Sequence, residues 1–139
     1  MKKVVLAIDP GREKCGIAVA EKRSGTLYQK VIDTKELISI VKELSEEYQV
    51  AVIVMGNGTS SDQAKKNIET FITDKQIDLQ LVDEYRTTDA AKIRYWQANP
   101  PRGLMRLIPT TMQVPPVPVD DYVAVILAER YFTKLFGER

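Results

Sequence analysis

Short apolar runs separated by polar turns fill the first third of the chain. Lys3–Ile8 and Gly16–Ala20 are rich in β-branched and small apolar residues, and Thr26–Asp33 alternates between apolar and polar positions. Both patterns are typical of β-strands. A short turn at Arg23–Gly25 separates the second run from the third. The sequence therefore predicts three strands joined by tight turns, an antiparallel meander.

Helical spacing follows the third strand. Asp33 and Thr34 are residue types that cap helices, and the apolar residues after them recur on one helical face. The members of that face are Leu37, Ile38, Val41, Leu44 and Tyr48. The next run, Val50–Gly56, is continuously apolar, which is typical of a strand covered on both faces. We predict a helix that packs on the sheet, followed by a buried strand.

Helix and strand patterns then alternate. Ser60 or Ser61 is placed to cap a helix that runs to about Thr73. Asp78–Glu84 alternates as a strand that ends on two acids, and Thr87–Gln97 begins another helix. Alternating strands and helices after a meander predict an α/β fold with a mixed sheet flanked by helices.

Proline dominates the segment before the last helix. Asn99–Pro118 holds six of the seven prolines, so we expect a long loop without regular elements there, a feature that is functional or disordered in a compact domain. Asp120–Phe136 then has the pattern of an amphipathic helix. Its inward residues are expected to be Val123, Ile126, Leu127 and Tyr131.

The composition fits a single domain. With 139 residues, of which 44% are hydrophobic, the chain can bury a core without disulfides, and we expect one domain over residues 1–139. No segment has the apolar length of a membrane helix, and the lone Cys15 has no partner for an intramolecular disulfide. We expect a cytoplasmic protein with no membrane partner.

The chain contains no histidine, which excludes Ser-His and Cys-His nucleophile pairs and histidine-ligated zinc. Catalysis would have to use carboxylates, hydroxyls, amines or a metal held by oxygen atoms. The net charge of +1 is unevenly distributed, because Tyr85–Arg106 carries five cations and one acid. This basic stretch is a candidate surface for nucleic acid.

Acids stand at the ends of three predicted elements. Asp9 ends the first strand, Glu84 ends the last, and Asp120 and Asp121 open the final helix. If these ends meet at one edge of the sheet, their oxygen atoms suit a hard cation, Mg²⁺ or Mn²⁺. Two such ions can promote the hydrolysis of a phosphodiester. Each acid taken alone is better explained as a turn or cap residue, whereas the three positions taken together leave both interpretations open.

Several polar residues are candidates for contact with a nucleic acid. Gly56–Ser60 lies between a strand and a helix, where it serves first as a turn and cap and second as a source of free amides for phosphate. Trp96 occurs at helical spacing, where a tryptophan is more often a core residue than a surface on which bases stack. The candidate contact residues are Arg12, Asn57, Lys65, Arg86, Arg94, Arg102 and Arg106.

Four segments carry a family resemblance that covers nearly the whole chain. "AIDPGREKCGIAVAE", "GNGTSS", "VDEYRTT" and "VDDYVAVILAERYF", in this order and spacing, resemble the YqgF/RuvX-type family of bacterial RNase H-fold proteins, which are similar to Holliday junction resolvases. The resemblance implies an RNase H-like α/β fold, with a mixed five-stranded sheet and helices on both faces.

The resemblance also assigns roles to the acids. It implies that Asp9, Glu84 and Asp121 are catalytic metal ligands, with Asp120 as an adjacent carboxylate that assists or replaces Asp121. The implied activity is metal-dependent phosphodiester hydrolysis, in ribosomal RNA precursor processing or on branched DNA. One departure is Tyr85, which stands where the family pattern has arginine, with Arg86 one place later.

We therefore predict a metal-dependent nuclease whose partner is structured RNA as the first substrate class or branched DNA as the second. One alternative is an RNase H-fold protein that binds nucleic acid without cleaving it. Another is a fragment of an actin-like ATPase, since those folds also begin with an Asp-x-Gly strand and a hairpin, although the chain is short for two such lobes. Resolvase-like chemistry on two strands would suggest a homodimer.

Overall fold

A five-stranded mixed sheet forms the centre of the protein. The computed structural model describes residues 3–58 and 62–136. The strands are β1 (Val4–Asp9), β2 (Lys14–Glu21), β3 (Gly25–Asp33), β4 (Val52–Gly56) and β5 (Asp78–Val82). Their order in the sheet is β3-β2-β1-β4-β5. The first three strands pair antiparallel, whereas β4 pairs parallel to β1 and β5 parallel to β4. The predicted meander and mixed sheet are confirmed.

Within the described residues, four α-helices connect and cover the strands. They are α1 (Leu37–Tyr48), α2 (Asp62–Ile72), α3 (Thr87–Ala98) and α4 (Asp120–Phe136). Among the helices in the described residues, none has the length and apolar character needed to cross a membrane.

The two faces of the sheet support separate apolar cores. On one face, Val5 and Ala7 of β1 belong to a cluster that includes Leu127 of α4. On the other, Leu6 and Ile8 pack in a cluster with residues of α1 and α2. Alternate residues of β1 therefore enter opposite cores, which explains why this strand is apolar throughout. The predicted inward residues of α4 are all buried, namely Val123, Ile126, Leu127 and Tyr131.

The start of the first helix differs from the prediction. A 3-10 turn at Thr34–Glu36 precedes α1, and neither Asp33 nor Glu36 makes a side-chain cap bond. Asp33 instead forms an ion pair with Lys14 at 2.7 Å, and the Thr34 hydroxyl donates to the Gly11 carbonyl at 2.8 Å. Both side chains thus hold the β1–β2 turn to β3. The predicted caps Ser60 and Ser61 lie outside the described residues.

The proline-rich segment contains more regular structure than the sequence indicated. Two 3-10 helices, Gly103–Leu107 and Thr110–Met112, lie within it. The side-chain amide of Gln113 donates to the carbonyls of Met105 and Ile108, each at 2.9 Å. The prediction of a loop without regular elements was therefore wrong, because short 3-10 turns fit between prolines that exclude an α-helix.

Candidate functional site

The candidate site lies at the end of β1, where Asp9 is half-buried after four fully buried residues. Asp9 pairs with Gly16 of β2. A side chain at Gly16 would collide with the backbone of Asp120, since the first residues of α4 lie directly on this glycine. The missing side chain therefore lets the start of α4 approach the end of β1.

Three acids interact at this position. Burial, followed by the charge of Asp120, a hydrogen bond with Asp120 and the charge of Glu84, raises the pKa of Asp9 to about 7. Two carboxyl groups in hydrogen-bond contact share a proton more easily than they carry two charges. The structure thus brings Asp9, Asp120 and Glu84 together, as expected for acids at converging element ends.

Glu84 is held in the connection between β5 and α3. Its backbone carbonyl accepts a 2.9 Å hydrogen bond from the hydroxyl of buried Thr87. Its carboxylate lies against Gly56 and Gly58, where an added Cβ would meet Glu84 side-chain atoms. One residue earlier, the carbonyl of Asp83 accepts a 2.8 Å hydrogen bond from Arg130 of α4. The glycines on one side and α4 on the other therefore position this acid.

Asp121 has a different environment. Its carboxylate accepts a 2.9 Å hydrogen bond from the side-chain amide of Gln29 on β3. It is not among the groups that raise the pKa of Asp9, whereas Asp120 is the charge with the largest effect. Of the two adjacent acids, Asp120 is the one the structure places with Asp9.

The chemistry of this site suits a hard cation, but the side chains do not already form a cage. All the donors are carboxylate oxygens, the ligands that Mg²⁺ and Mn²⁺ prefer. Within residues 3–58 and 62–136, no group of three or more acidic or cysteine side chains is arranged to hold a metal ion. The Asp9–Asp120 contact nevertheless concentrates negative charge that a cation would neutralise.

Two of the predicted phosphate-binding arginines have partners within the protein. Arg94 makes a two-pronged contact with Glu129 of α4, at 2.8 and 2.9 Å. Arg86 bonds to Asp89 at 3.1 Å, with both side chains largely exposed. Exposed pairs of this kind are weak, so Arg86 can exchange its partner for a phosphate more easily than Arg94 can.

The other predicted contact residues lie in four different segments of the chain. Arg12 is exposed after β1, beside a cavity of about 470 Å³ that Pro10 and Gly11 also line. Arg102 and Arg106 are exposed in the proline-rich segment, Asn57 is exposed after β4, and Lys65 is half-buried in α2. Their contacts with nucleic acid stay predictions.

Sequence reasoning missed the residues that position the acids. Gly16 and Gly58 act through the side chain they lack, and their only sequence signal is a glycine near an acidic strand end. Gln29 and Arg130 reach the site from β3 and α4. No local pattern marks them, because each is separated from its partner by many residues.

The strand order, the strand directions and the final helix against β1 define an RNase H-like fold. The structure of Thermus thermophilus RuvC in complex with a Holliday junction substrate superposes with a TM-score of 0.60, at 12% identity over 98% of each chain. The fowlpox virus Holliday junction resolvase gives 0.62, at 16% identity over 94% of this chain and 99% of the viral one. A family model described as the Tex protein YqgF-like domain matches residues 3–88, more than half of the chain. The protein belongs to this family.

A curated relative is much longer than this chain. YdcI of Bacillus subtilis (strain 168) is 35% identical over 52% of this chain, and the match spans 11% of YdcI. The resemblance to the YqgF-type family and the predicted fold are thus confirmed.

Proposed function

We propose that this protein is a divalent-metal-dependent endonuclease that acts on branched or structured nucleic acid. The observation that carries the proposal is the contact of Asp9 with Asp120, and their proximity to Glu84, at one end of an RNase H-like sheet. The absence of histidine from the chain leaves carboxylates as the natural ligands and bases.

In this proposal Asp9, Asp120 and Glu84 hold Mg²⁺ or Mn²⁺, which would polarise the scissile phosphate and lower the pKa of an attacking water. Asp121, bound to Gln29, would fix the start of α4 so that Asp120 faces Asp9. Thr87 would hold Glu84 in place through the Glu84 backbone. Arg86, whose ion pair with Asp89 is exposed, would bind a neighbouring phosphate.

Branched DNA is the first substrate class. The support is the fold shared with the fowlpox resolvase and with the RuvC that was solved on a Holliday junction. Structured RNA, such as a ribosomal RNA precursor, is the second class and rests on the family resemblance alone. A homodimer would present two such sites to the two strands of a junction.

The test is cleavage of a four-way DNA junction and of a structured RNA with Mn²⁺, comparing the wild type with Asp9→Asn. We expect cutting by the wild type and loss of cutting by the variant. Cutting that survives Asp9→Asn would contradict the assignment of the metal site, and binding without cutting by either protein would contradict nuclease activity.

One observation favours a second candidate, a protein that binds nucleic acid without cleaving it. Among the described residues, the acids are not arranged as a set of three or more metal ligands. Burial also keeps Asp9 partly protonated near neutral pH. In that case junction binding would be unaffected by Mn²⁺ and by Asp9→Asn.

A further inference from the structure

A groove separates α3 from the second 3-10 helix of the proline-rich segment. Its volume is about 470 Å³. The apolar lining consists of Ile93, Trp96, Met112 and Val114. The charged residues at the groove are the cations Arg86 and Lys92 and the acid Asp89, which pairs with Arg86. The combination of apolar walls and cations fits a ligand with a flat apolar ring and an anionic group.

Trp96 gives the groove an aromatic surface. It is half-buried, and the Tyr95 ring meets it edge-on at 5.1 Å between centroids. The indole N–H is buried and has no acceptor among the described residues. Most buried tryptophans donate their indole N–H to an acceptor, and Trp96 has no such hydrogen bond among the described residues.

The cations complement a phosphodiester chain. Arg86 and Lys92 are exposed, and the pair that Arg86 forms with Asp89 is itself largely exposed. Such a pair is weak and screened, so Arg86 can turn to an anion at little cost. The same stretch of chain, Tyr85–Arg106, carries five cations and one acid.

The groove is next to the candidate active site along the chain. Arg86 follows Glu84 by two residues, which limits the distance between their Cα atoms to about 7.6 Å. A strand whose phosphate lies near Glu84 therefore passes close to Arg86, one of the residues that line the groove.

We propose that this groove binds one unpaired nucleotide of the nucleic-acid substrate, with the base against Trp96 and the phosphate at Arg86 and Lys92. The inference rests on the proposed function and narrows it to substrates that have an unpaired nucleotide beside the scissile phosphate. Base stacking on an aromatic side chain is independent of sequence, so the site selects for strand state and not for base identity.

The fluorescence of Trp96 reports on this contact directly, because it is the one tryptophan in the chain. Short oligothymidylate is titrated in EDTA and compared with an abasic oligomer of the same length and charge. We expect quenching by the base-containing oligomer and little quenching by the abasic one. Equal quenching by both, or by neither, would overturn the proposal.

Two exposed residues of the proline-rich segment give a matched pair of variants. Met112 is 75% exposed and lines the groove, whereas Leu104 is 82% exposed and does not line it. Met112→Asp is expected to weaken oligothymidylate binding about tenfold, the scale of one lost base contact, and Leu104→Asp is expected to leave it unchanged. Because both side chains face solvent, both variants keep the fold. Equal affinities for the two variants would contradict the proposal.

The outcomes separate this inference from the proposed function. Base-dependent quenching without cleavage of any junction or RNA would contradict nuclease activity and keep the nucleotide site. Cleavage without base-dependent quenching would support nuclease activity and contradict the proposed nucleotide site. Failure of the oligomer to bind at all would also overturn the proposal and leave a polypeptide as the alternative occupant.

Discussion

The carboxyl groups of Asp9 and Asp120 are in hydrogen-bond contact, although they come from the first strand and the last helix. Gly16 makes this contact possible, because a side chain there would occupy the position of the Asp120 backbone. Burial, together with the charge and hydrogen bond of Asp120, disfavours the ionised form of Asp9 and raises its pKa to about 7. The fold thus holds two carboxyl groups that repel each other when both are ionised at one end of the sheet, and a bound cation would relieve this repulsion.

The first prediction distinguishes the two adjacent acids of α4. Asp120→Asn should lower Mn²⁺-dependent cleavage at least about 100-fold, because stabilisation of the reacting phosphate by a bound ion is worth several kcal/mol. Asp121→Asn should cost no more than about tenfold, the effect typical of a group that orients a ligand. The measurement is the single-turnover cleavage rate of a four-way junction.

Asp74→Asn provides the control, since that aspartate is highly exposed on the surface. A larger loss of rate for Asp121→Asn than for Asp120→Asn would restore the assignment that the family resemblance implies.

The second prediction concerns pH. The pKa of Asp9 is about 7 in the folded protein and near 3.8 when unfolded, so the folded state holds an extra proton between these values. The free energy of unfolding of the metal-free protein should therefore fall as pH rises from about 4 to above 7, by roughly 1–3 kcal/mol. Urea unfolding in EDTA at several pH values in this window measures the slope.

Asp9→Asn should flatten this dependence and make the metal-free protein more stable than the wild type above pH 7, because the amide carries no charge. Mn²⁺ should stabilise the wild type at the same pH and leave the variant unaffected. Parallel pH profiles for the two proteins would show that Asp9 does not carry the effect.

The fold could be predicted from the sequence because its signals are local. The apolar run that forms β4 and the helical face from Leu37 to Tyr48 report burial directly. The start of β2 was placed two residues late, at Gly16 instead of Lys14. Lys14 belongs to β2 because it pairs with Asp33 of the neighbouring strand β3. The local sequence around Lys14 contains no information about that partner.

The site could be predicted only to the level of the elements that meet. Successive residues on a helix point about 100° apart, so the choice between Asp120 and Asp121 depends on how α4 rotates against the sheet. That rotation is set by the close approach to Gly16 and by the hydrogen bond from Gln29. Neither contact can be read from the sequence around the two acids.

The third prediction separates a structural arginine from a binding one. Arg94→Ala should destabilise the protein by about 0.5–1 kcal/mol, because it removes a two-pronged but partly exposed contact with Glu129. Arg102→Ala should leave stability unchanged and reduce the salt dependence of junction binding by about one phosphate contact. Urea unfolding and binding at several salt concentrations measure the two effects. If Arg94→Ala instead reduced the salt dependence of junction binding and left stability unchanged, Arg94 would be a nucleic-acid contact.

The last prediction concerns Gly58, whose missing side chain leaves room for the Glu84 carboxylate. In Gly58→Ala the new Cβ would lie 2.8 Å from the Glu84 carboxyl carbon, so the acid must move. Cleavage should fall about tenfold or more, because displacement of a reacting group by about 1 Å is costly, while stability should stay within about 1 kcal/mol of the wild type. In a Glu84→Gln background the same substitution should cause little further loss of rate, since the two changes act through one side chain. Additive losses in the double variant would show that Gly58 acts independently of Glu84.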